Sequence, residues 1–394
     1  MRGRTAVVAA VLVGLAGCTS TPESQAPAGQ QGDVTTTTTT TPPEPFSLKL
    51  TPADKSEDVE PGAPVTVAVG GGLLTEVVLK NEAGKVVKGA LSGDARTWTS
   101  SEPLGYGKTY TATATAQDAE GKPKESTSTF TTAQPARTST LSMNPLDGQK
   151  VGVGQPLAFY FSTNIRDKPA AEKAIKITTE PAAEGAYYWF DDSTVMWRPQ
   201  EYWKSGTKIT IDARIYGKHL GNGTFGAEDR KATVTIGDAV VMKADGKTHK
   251  MTVSINGKVA KTMPISMGKP GYETPVGTYV VMSEHTDYTM DSSTYGVPTD
   301  AAEGYRTHVE VATRMSNSGI FYHSAPWSVG DQGKRNVSHG CINVSTENAR
   351  WLQKISSKGD VITVSGSGGP KLEVWDGLGV WQVPWETWKK GGAK

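Results

Sequence analysis

The chain has 394 residues, roughly two to three times the size of an ordinary domain, so several folded units are expected. Its 41 basic and 40 acidic residues nearly cancel, which excludes the basic surface that a nucleic-acid binder needs to neutralise phosphates. Two cysteines exclude a disulfide scaffold and a Cys-rich zinc module, while 44 glycines and 23 prolines point to turn-rich β modules.

In chain order, the first feature is an address. Arg2 and Arg4 precede the apolar run 6–15, which is too short to stay in a bilayer as a helix. A cationic start, an apolar middle and small residues at the end make a secretory signal over 1–17. Leu15-Ala16-Gly17-Cys18 resembles the bacterial lipoprotein signal. That resemblance implies a lipid anchor on Cys18, a new N-terminus there, and a place on the extracytoplasmic face of the cell membrane. The alternative is a plain signal peptide in which Cys18 is incidental. With Cys18 lipidated, Cys341 is the only free thiol of an exported protein. Residues 18–45, with seven threonines from Thr35 to Thr41 followed by Pro42-Pro43, cannot bury a core and are expected to be a disordered tether.

Two β modules are expected next, over 46–135 and 136–237. Val65-Thr66-Val67-Ala68-Val69, Val77-Val78-Leu79-Lys80 and Tyr110-Thr111-Ala112-Thr113-Ala114-Thr115 are strand-like, with a turn at Asn81-Glu82-Ala83-Gly84. Leu48-Lys49-Leu50-Thr51-Pro52 is echoed by Leu141-Ser142-Met143-Asn144-Pro145, and the pair Trp98, Gly107 by Trp197, Gly206. An all-strand repeat of about 100 residues suits an immunoglobulin-like sandwich. Trp98 and Trp197 are expected between the sheets. Nothing in 46–235 groups into a catalytic set, so these modules are expected to be spacers or wall-contact surfaces.

A third unit is expected over 238–366. Asn256-Gly257, between Met251-Thr252-Val253-Ser254-Ile255 and Val259-Ala260-Lys261-Thr262-Met263-Pro264-Ile265, predicts a hairpin with a type I′ turn. Thr274-Pro275-Val276-Gly277-Thr278-Tyr279 opens another strand. The stretch 283–303 shows little periodicity and is expected to be an unstructured functional loop, a lid. Ser345 predicts a helix cap for 346–354, with Ala349, Leu352 and Ile355 as its apolar positions, and Val361-Ile362-Thr363-Val364 a closing strand. The extension 367–394 carries Trp375, Trp381, Trp385 and Trp388; packing against neighbouring modules is preferred for these over sugar stacking.

The chemistry lies in Phe321-Tyr322-His323-Ser324 and Ser338-His339-Gly340-Cys341-Ile342-Asn343-Val344. A nucleophilic thiol needs a base, backbone N–H groups facing the developing oxyanion, and close access for the substrate. His323 or His339 can be the base, and Gly340 beside Cys341 gives the access. From the residues alone two other readings stay open: a zinc site of His323, His339 and Cys341, which lacks the C-x-x-C spacing of structural zinc sites, and inert packing of the cysteine.

His323 precedes Ser338 by fifteen residues, and Ser338-His339-Gly340-Cys341-Ile342-Asn343 follows. This pattern resembles the L,D-transpeptidase family of bacterial cell-wall enzymes, whose motif is a His, some fifteen residues, then Ser/Thr-His-Gly-Cys-x-Asn. Thr274 to Tyr279 is similar to that family's upstream strand, and the likeness covers about 240–365. The lipoprotein signal, the two sandwiches and the Trp-bearing tail resemble the mycobacterial members. The resemblance implies a mainly β protein: two immunoglobulin-like β-sandwich domains, then a catalytic β-domain with a short helix, then a Trp-rich C-terminal extension.

The resemblance also implies roles. Cys341 is the nucleophile toward the third residue of a donor tetrapeptide stem, releasing D-alanine, and His323 is its base. The Ser324 carbonyl orients the His323 ring. Backbone amides around His339, Gly340 and Cys341 form the oxyanion hole near Tyr305, with His339 in support. Asn343 contacts substrate, and Ser318-Gly319 touch the donor stem through the backbone. Met290 and Tyr295 of the lid, with Tyr305 and Trp327, keep water out. The partners implied are peptidoglycan donor and acceptor stems, with carbapenems as covalent inhibitors; no cofactor, metal or nucleic acid is implied. Attack of an acceptor amine on the thioester leaves a 3→3 cross-link. Water as acceptor makes an L,D-carboxypeptidase. A protein amine makes a sortase-like enzyme, against which stands the lack of Thr-Leu-x-Thr-Cys. The remaining alternative is a non-enzymatic, tethered wall-binding protein.

Overall fold

In the strand Thr109–Asp118 every second residue from Tyr110 to Ala116 is buried, because successive side chains of an extended backbone point to opposite faces. The computed structural model to which this strand belongs describes residues 44–392. The signal, the lipidation of Cys18 and nearly all of the tether therefore lie outside the described residues. Thr109–Asp118 pairs with Gly72–Asn81 and Pro123–Thr131. Their sheet packs on a second one of Ser47–Thr51, Thr66–Gly70, Thr97–Ser100 and Gly89–Leu91, around Leu79, Trp98, Leu104 and Phe130.

A second sandwich repeats this plan. One sheet runs Leu141–Asn144, Leu157–Phe161, Thr194–Pro199, Gly185–Trp189, and the other Lys150–Val151, Arg230–Ile236, Lys208–Ala213, Ile175–Glu180. Trp98 and Trp197 lie in the two cores, and each covers a glycine. A Cβ on Gly89 would come within 2.0 Å of the Trp98 ring, and one on Gly185 within 2.1 Å of the Trp197 ring. The short helix Lys168–Ala174 was not anticipated. It owes its start to Asp167, whose Oδ1 accepts the Ala170 N–H at 3.0 Å, and seven residues are too few to show an apolar period.

The third unit joins two sheets. Five strands run in the order Lys258–Pro264, Lys250–Ile255, Val240–Asp245, Val361–Ser365, Gly277–Val280, and four in the order Ser283–Asp291, Arg306–Arg314, Phe321–Ser324, Ile342–Val344. Asn256 and Gly257 both have positive φ, 50° and 80°, as the type I′ turn demands. The Ser345 side chain accepts the Asn348 N–H and caps the helix Thr346–Ile355, which buries Ala349 and Leu352. Met242, Met251, Val253, Tyr279, Tyr322 and Ile342 belong to the apolar core of this unit.

The expectation of an unstructured 283–303 is corrected. Ser283–Asp291 is a strand paired antiparallel with Arg306–Arg314, from Ser283↔Arg314 to Asp291↔Arg306, and the 3₁₀ turn Ser292–Tyr295 begins the tip. Of that strand only Met290 is fully buried. Its outward Ser, Thr, His and Asp side chains therefore carry no apolar alternation, and pairing with Arg306–Arg314, whose Val309, Val311 and Ala312 are buried, makes the strand.

The C-terminal extension packs rather than projects. Leu378, Val380, Val383 and Trp388 cluster with Ala158 and Met196 of the second sandwich and Val280 of the third unit. The Arg198 guanidinium sits 4.6, 5.4 and 4.7 Å from the ring centroids of Trp381, Trp385 and Trp388, an attraction of charge to ring face, and its Nη2 donates to the Val383 carbonyl at 2.8 Å. Packing thus accounts for these three tryptophans, while Trp375 is exposed.

Where the second sandwich meets the third unit, the Gly152 and Gly154 amides donate to the Lys358 and Gly359 carbonyls, each at 2.8 Å. Asp360 is buried beside them. Its Oδ2 accepts the Ser357 N–H, its Oδ1 has no partner among the described residues, and burial pushes its pKa from 3.8 up to about 8. Between those values the folded chain keeps a proton that the unfolded chain has released. Stability therefore falls as pH rises through that window. Asp360→Asn is expected to raise the melting temperature at about pH 8.5 and by much less at about pH 5. Equal offsets in thermal melts at the two pH values would refute this account.

Candidate active site

His323 and Cys341 meet because their strands are neighbours. Phe321–Ser324 pairs in parallel with Ile342–Val344, His323 opposite Asn343, and Cys341 lies two residues before Asn343. Both His323 and Cys341 are buried, and both line one cavity of about 200 Å³ with Met290, Tyr305, Trp327, Ser338, His339 and Asn343. His323 Nδ1 lies 3.0 Å from the Ser324 carbonyl oxygen. A carbonyl only accepts, so the proton is on Nδ1 and the Nε2 lone pair is left as the basic atom. Trp327, half exposed at the rim, stacks on the ring at 5.9 Å between centroids.

Burial sets the charge state of the pair. It lowers the His323 pKa to about 4 and pushes the Cys341 thiol up to about 12; the ring's hydrogen bond to the Ser324 carbonyl and the Phe321 amide's bond to the sulfur act in the opposite direction on each. At neutral pH the resting pair is thus thiol and imidazole, not thiolate and imidazolium. The thiol donates to the Gly319 carbonyl at 3.5 Å. Tyr305 also keeps its proton, because burial and then the neighbouring Cys341 raise its pKa.

The turn that carries Cys341 is held from three sides. Ser338 Oγ donates to the Cys341 carbonyl at 2.6 Å and accepts the Gly340 N–H at 3.1 Å. Thr274 Oγ1 donates to the Gly340 carbonyl at 2.7 Å, and the Ser338 N–H donates to the Met267 carbonyl at 2.9 Å. Gly340 has φ +120°, a value that side chains rarely adopt. The Gly340 amide, expected with those of His339 and Cys341 to face an oxyanion, is bonded in this structure to Ser338 Oγ.

His339 lines the cavity and turns its Nε2 to a carboxylate. Its Nε2 and Lys269 Nζ each lie 2.6 Å from Glu303 Oε2, and these two partners hold the Glu303 carboxyl below its usual range. Glu303 belongs to the tip of the 283–314 hairpin, so this contact ties the tip to the nucleophile turn. Asn343 Nδ2 donates to Ser328 Oγ at 3.1 Å, while its Oδ1 has no partner among the described residues. Among the described residues no three His, Cys, Asp or Glu side chains are placed to hold a metal ion.

Ser318, Gly319 and Tyr295 stand beside the cavity instead of lining it. The Ser318 amide, expected to touch a donor stem, donates to Asp376 Oδ1 at 2.7 Å; that expectation is corrected for the N–H. Gly319 has φ +91°, and a Cβ there would come within 2.4 Å of the Tyr295 ring, so Tyr295 covers Gly319. Asp376, Glu303, Lys269 and Ser328 were missed in the sequence, where no local pattern marks them. Thr274 was noticed only as the start of a strand.

Bacterial immunoglobulin-like sandwiches followed by this two-sheet unit define a class. A bacterial Ig domain model matches residues 56–219, and the L,D-transpeptidase catalytic domain model matches 239–364. L,D-transpeptidase 2 of Mycobacterium tuberculosis is 43% identical over 98% of this chain and 94% of its own length. L,D-transpeptidase 5 of the same species is 36% identical over 94% of this chain and 86% of its own. Among solved structures, an L,D-transpeptidase in complex with imipenem is 38% identical, with a TM-score of 0.50, over 57% of this chain and 97% of that one. The chain belongs to the L,D-transpeptidase family. It is an acyltransferase-type enzyme with a cell-wall-related function.

Proposed function

We propose that the protein forms 3→3 cross-links between peptidoglycan stems by ping-pong acyl transfer through Cys341. Cys341 Sγ attacks the carbonyl of the third residue of a donor tetrapeptide as its proton passes to His323 Nε2. The charge on the carbonyl oxygen is met by the His339 and Cys341 amides and the Tyr305 hydroxyl. His323 then gives the proton to the departing amine, and D-alanine leaves with the thioester formed. The amine of an acceptor stem attacks the thioester, losing its proton to His323, and the thiol is restored. Met290, Tyr305 and Trp327 around the cavity, with Tyr295 over Gly319, keep out the water that would hydrolyse the intermediate. Asn343 Oδ1, a buried acceptor on the cavity wall, suits a stem N–H.

One observation carries this reading: an imidazole whose Nδ1–H is fixed on a carbonyl shares a pocket with a buried, protonated thiol. The imipenem complex of the relative supports β-lactam acylation of the same thiol here. Lipidation of Cys18, which would hold the enzyme on the outer face of the membrane beside its substrate, belongs to the same proposal.

The test is mass spectrometry of residues 46–394 incubated with a disaccharide tetrapeptide. A cross-linked dimer appearing with free D-alanine is expected. Free D-alanine without dimer would make the protein a carboxypeptidase, and neither product from folded protein would sink the enzyme reading.

A further inference from the structure

The Gly319 carbonyl that accepts a hydrogen bond from the Cys341 thiol belongs to a turn, 316–319. The Ser316 and Asn317 carbonyls of that turn are held by the Arg314 guanidinium of its own strand, while Ser318, next to Gly319, is held from elsewhere. Its anchor lies almost sixty residues away in the C-terminal extension, outside the stretch 239–364 that matches the catalytic domain. Asp376 is buried, and both of its carboxylate oxygens face this turn. Oδ1 accepts the Ser318 N–H at 2.7 Å, and Oδ2 accepts the Ser318 hydroxyl at 2.5 Å.

Those two bonds fix the direction of the rest. Ser318 Oγ gives its proton to the carboxylate, so at 2.9 Å from Ser316 Oγ it must accept the Ser316 proton. Ser316 Oγ in turn accepts the Ile320 N–H at 3.0 Å. The Asn317 side chain donates to the Trp375 carbonyl at 3.2 Å, and Gly377, at φ +82°, lies so close that a Cβ would come within 3.1 Å of the Met315 carbonyl. The extension thus grips every residue of the turn up to Gly319, whose other side is covered by Tyr295.

We propose that Asp376 is a positioning residue of the active site: through Ser318 it sets the Gly319 carbonyl against the reacting thiol and the rim of the donor site. This rests on Cys341 being the nucleophile, as proposed above. Phe321, whose amide also faces the sulfur, is paired with Arg314 in the sheet and keeps its place without Asp376. Loss of Asp376 therefore removes the carbonyl from the sulfur and leaves the amide.

That asymmetry gives a signature which plain destabilisation does not. In Asp376→Ala the carbonyl dipole no longer opposes charge on the sulfur, so the onset of Cys341 alkylation by iodoacetamide moves to lower pH. Of the other titratable groups that face the thiol, His323 and Tyr305 keep their surroundings, and Tyr279, which loses the nearby Asp376 charge, stays protonated because burial is the first cause of its raised pKa. Over the same series kcat for acylation by the tetrapeptide falls about tenfold or more, because the reacting geometry is lost. Asp376→Asn, which keeps one acceptor oxygen, lies between, and Trp375→Ala, a change to an exposed neighbour, matches wild type in both readouts.

The proposal is overturned by an Asp376→Ala protein with wild-type alkylation and acylation, or by an equal loss in Trp375→Ala. Should Asp376→Ala fail to fold, Ser318→Ala must show the same two shifts at smaller size, and wild-type behaviour there overturns the proposal as well. If the wild type makes no cross-linked product but the alkylation shift appears, the positioning role stands and the transpeptidase reading fails.

Discussion

Cys341→Ala is expected to abolish donor acylation and cross-linking, a loss of about a millionfold when a covalent nucleophile is removed. The fold should survive. Cys341 packs with Met290, Val309, Ala312 and Phe321, and removal of one sulfur atom from such a cluster costs about 1 kcal/mol. The measurement is the rate of tetrapeptide acylation by mass spectrometry, beside a thermal melt of the same preparation. Cross-linking by a folded Cys341→Ala protein within about a hundredfold of the wild-type rate would remove the thiol from the mechanism. Cys341→Ser is expected to be nearly as inactive, because a buried hydroxyl beside a weakly basic imidazole is harder to deprotonate than a thiol.

His323→Gln is expected to lower acylation by about 10²- to 10⁴-fold, the usual contribution of a positioned general base. The wild-type pH profile carries the sharper test. His323 acts only when neutral, and burial brings its pKa down to about 4. The acid limb of the acylation rate should therefore lie near pH 4 rather than at the ordinary histidine value of about 6.5. Stability has a matching sign. The unfolded chain takes up this proton at 6.5 and the folded chain only near 4, so stability is lost as pH falls through that window. His323→Gln should lose that slope. A rate profile with its acid limb near 6.5 would mean that the ring is solvated in the working enzyme.

The two mutants also separate two ways of making a cysteine reactive. A thiolate–imidazolium pair would be ready before substrate arrives and would be alkylated at once at neutral pH. Here both groups are buried and neutral, so proton transfer must accompany attack on the donor carbonyl. Slow alkylation by small reagents, together with fast acylation by the donor, is the pattern this geometry demands.

Much of this was legible in the residue order, for reasons that are local. Tyr110 to Ala116 alternate because one face of that strand is buried and the other wet. Asn256-Gly257 demands positive φ at two successive positions, and few turns other than I′ need that. Ser345 announces a helix because its hydroxyl replaces a missing backbone acceptor. The repeat of Trp98 and Gly107 as Trp197 and Gly206 marks two copies of one sandwich. His323 and the run Ser338 to Asn343 mark the pair proposed to react, and the two strands that carry them are neighbours.

The tertiary structure decided what depends on contacts between distant segments. Ser283–Asp291 is a strand because a neighbour supplies its hydrogen bonds, though its own pattern shows no buried face. Gly340 takes a φ of +120° and its amide bonds Ser338 Oγ, a turn that Thr274 closes from a distant segment. Arg198 draws three tail tryptophans onto the second sandwich, and that docking brings Asp376 to Ser318. By itself the sequence determined the strands, the repeat and the motif that pairs His323 with Cys341, all of which rest on neighbours in the chain. How Glu303, Asp376 and Thr274 hold the turns around that pair was decided only by packing, because these partners lie 36, 58 and 66 residues from the groups they bind and no periodicity links them.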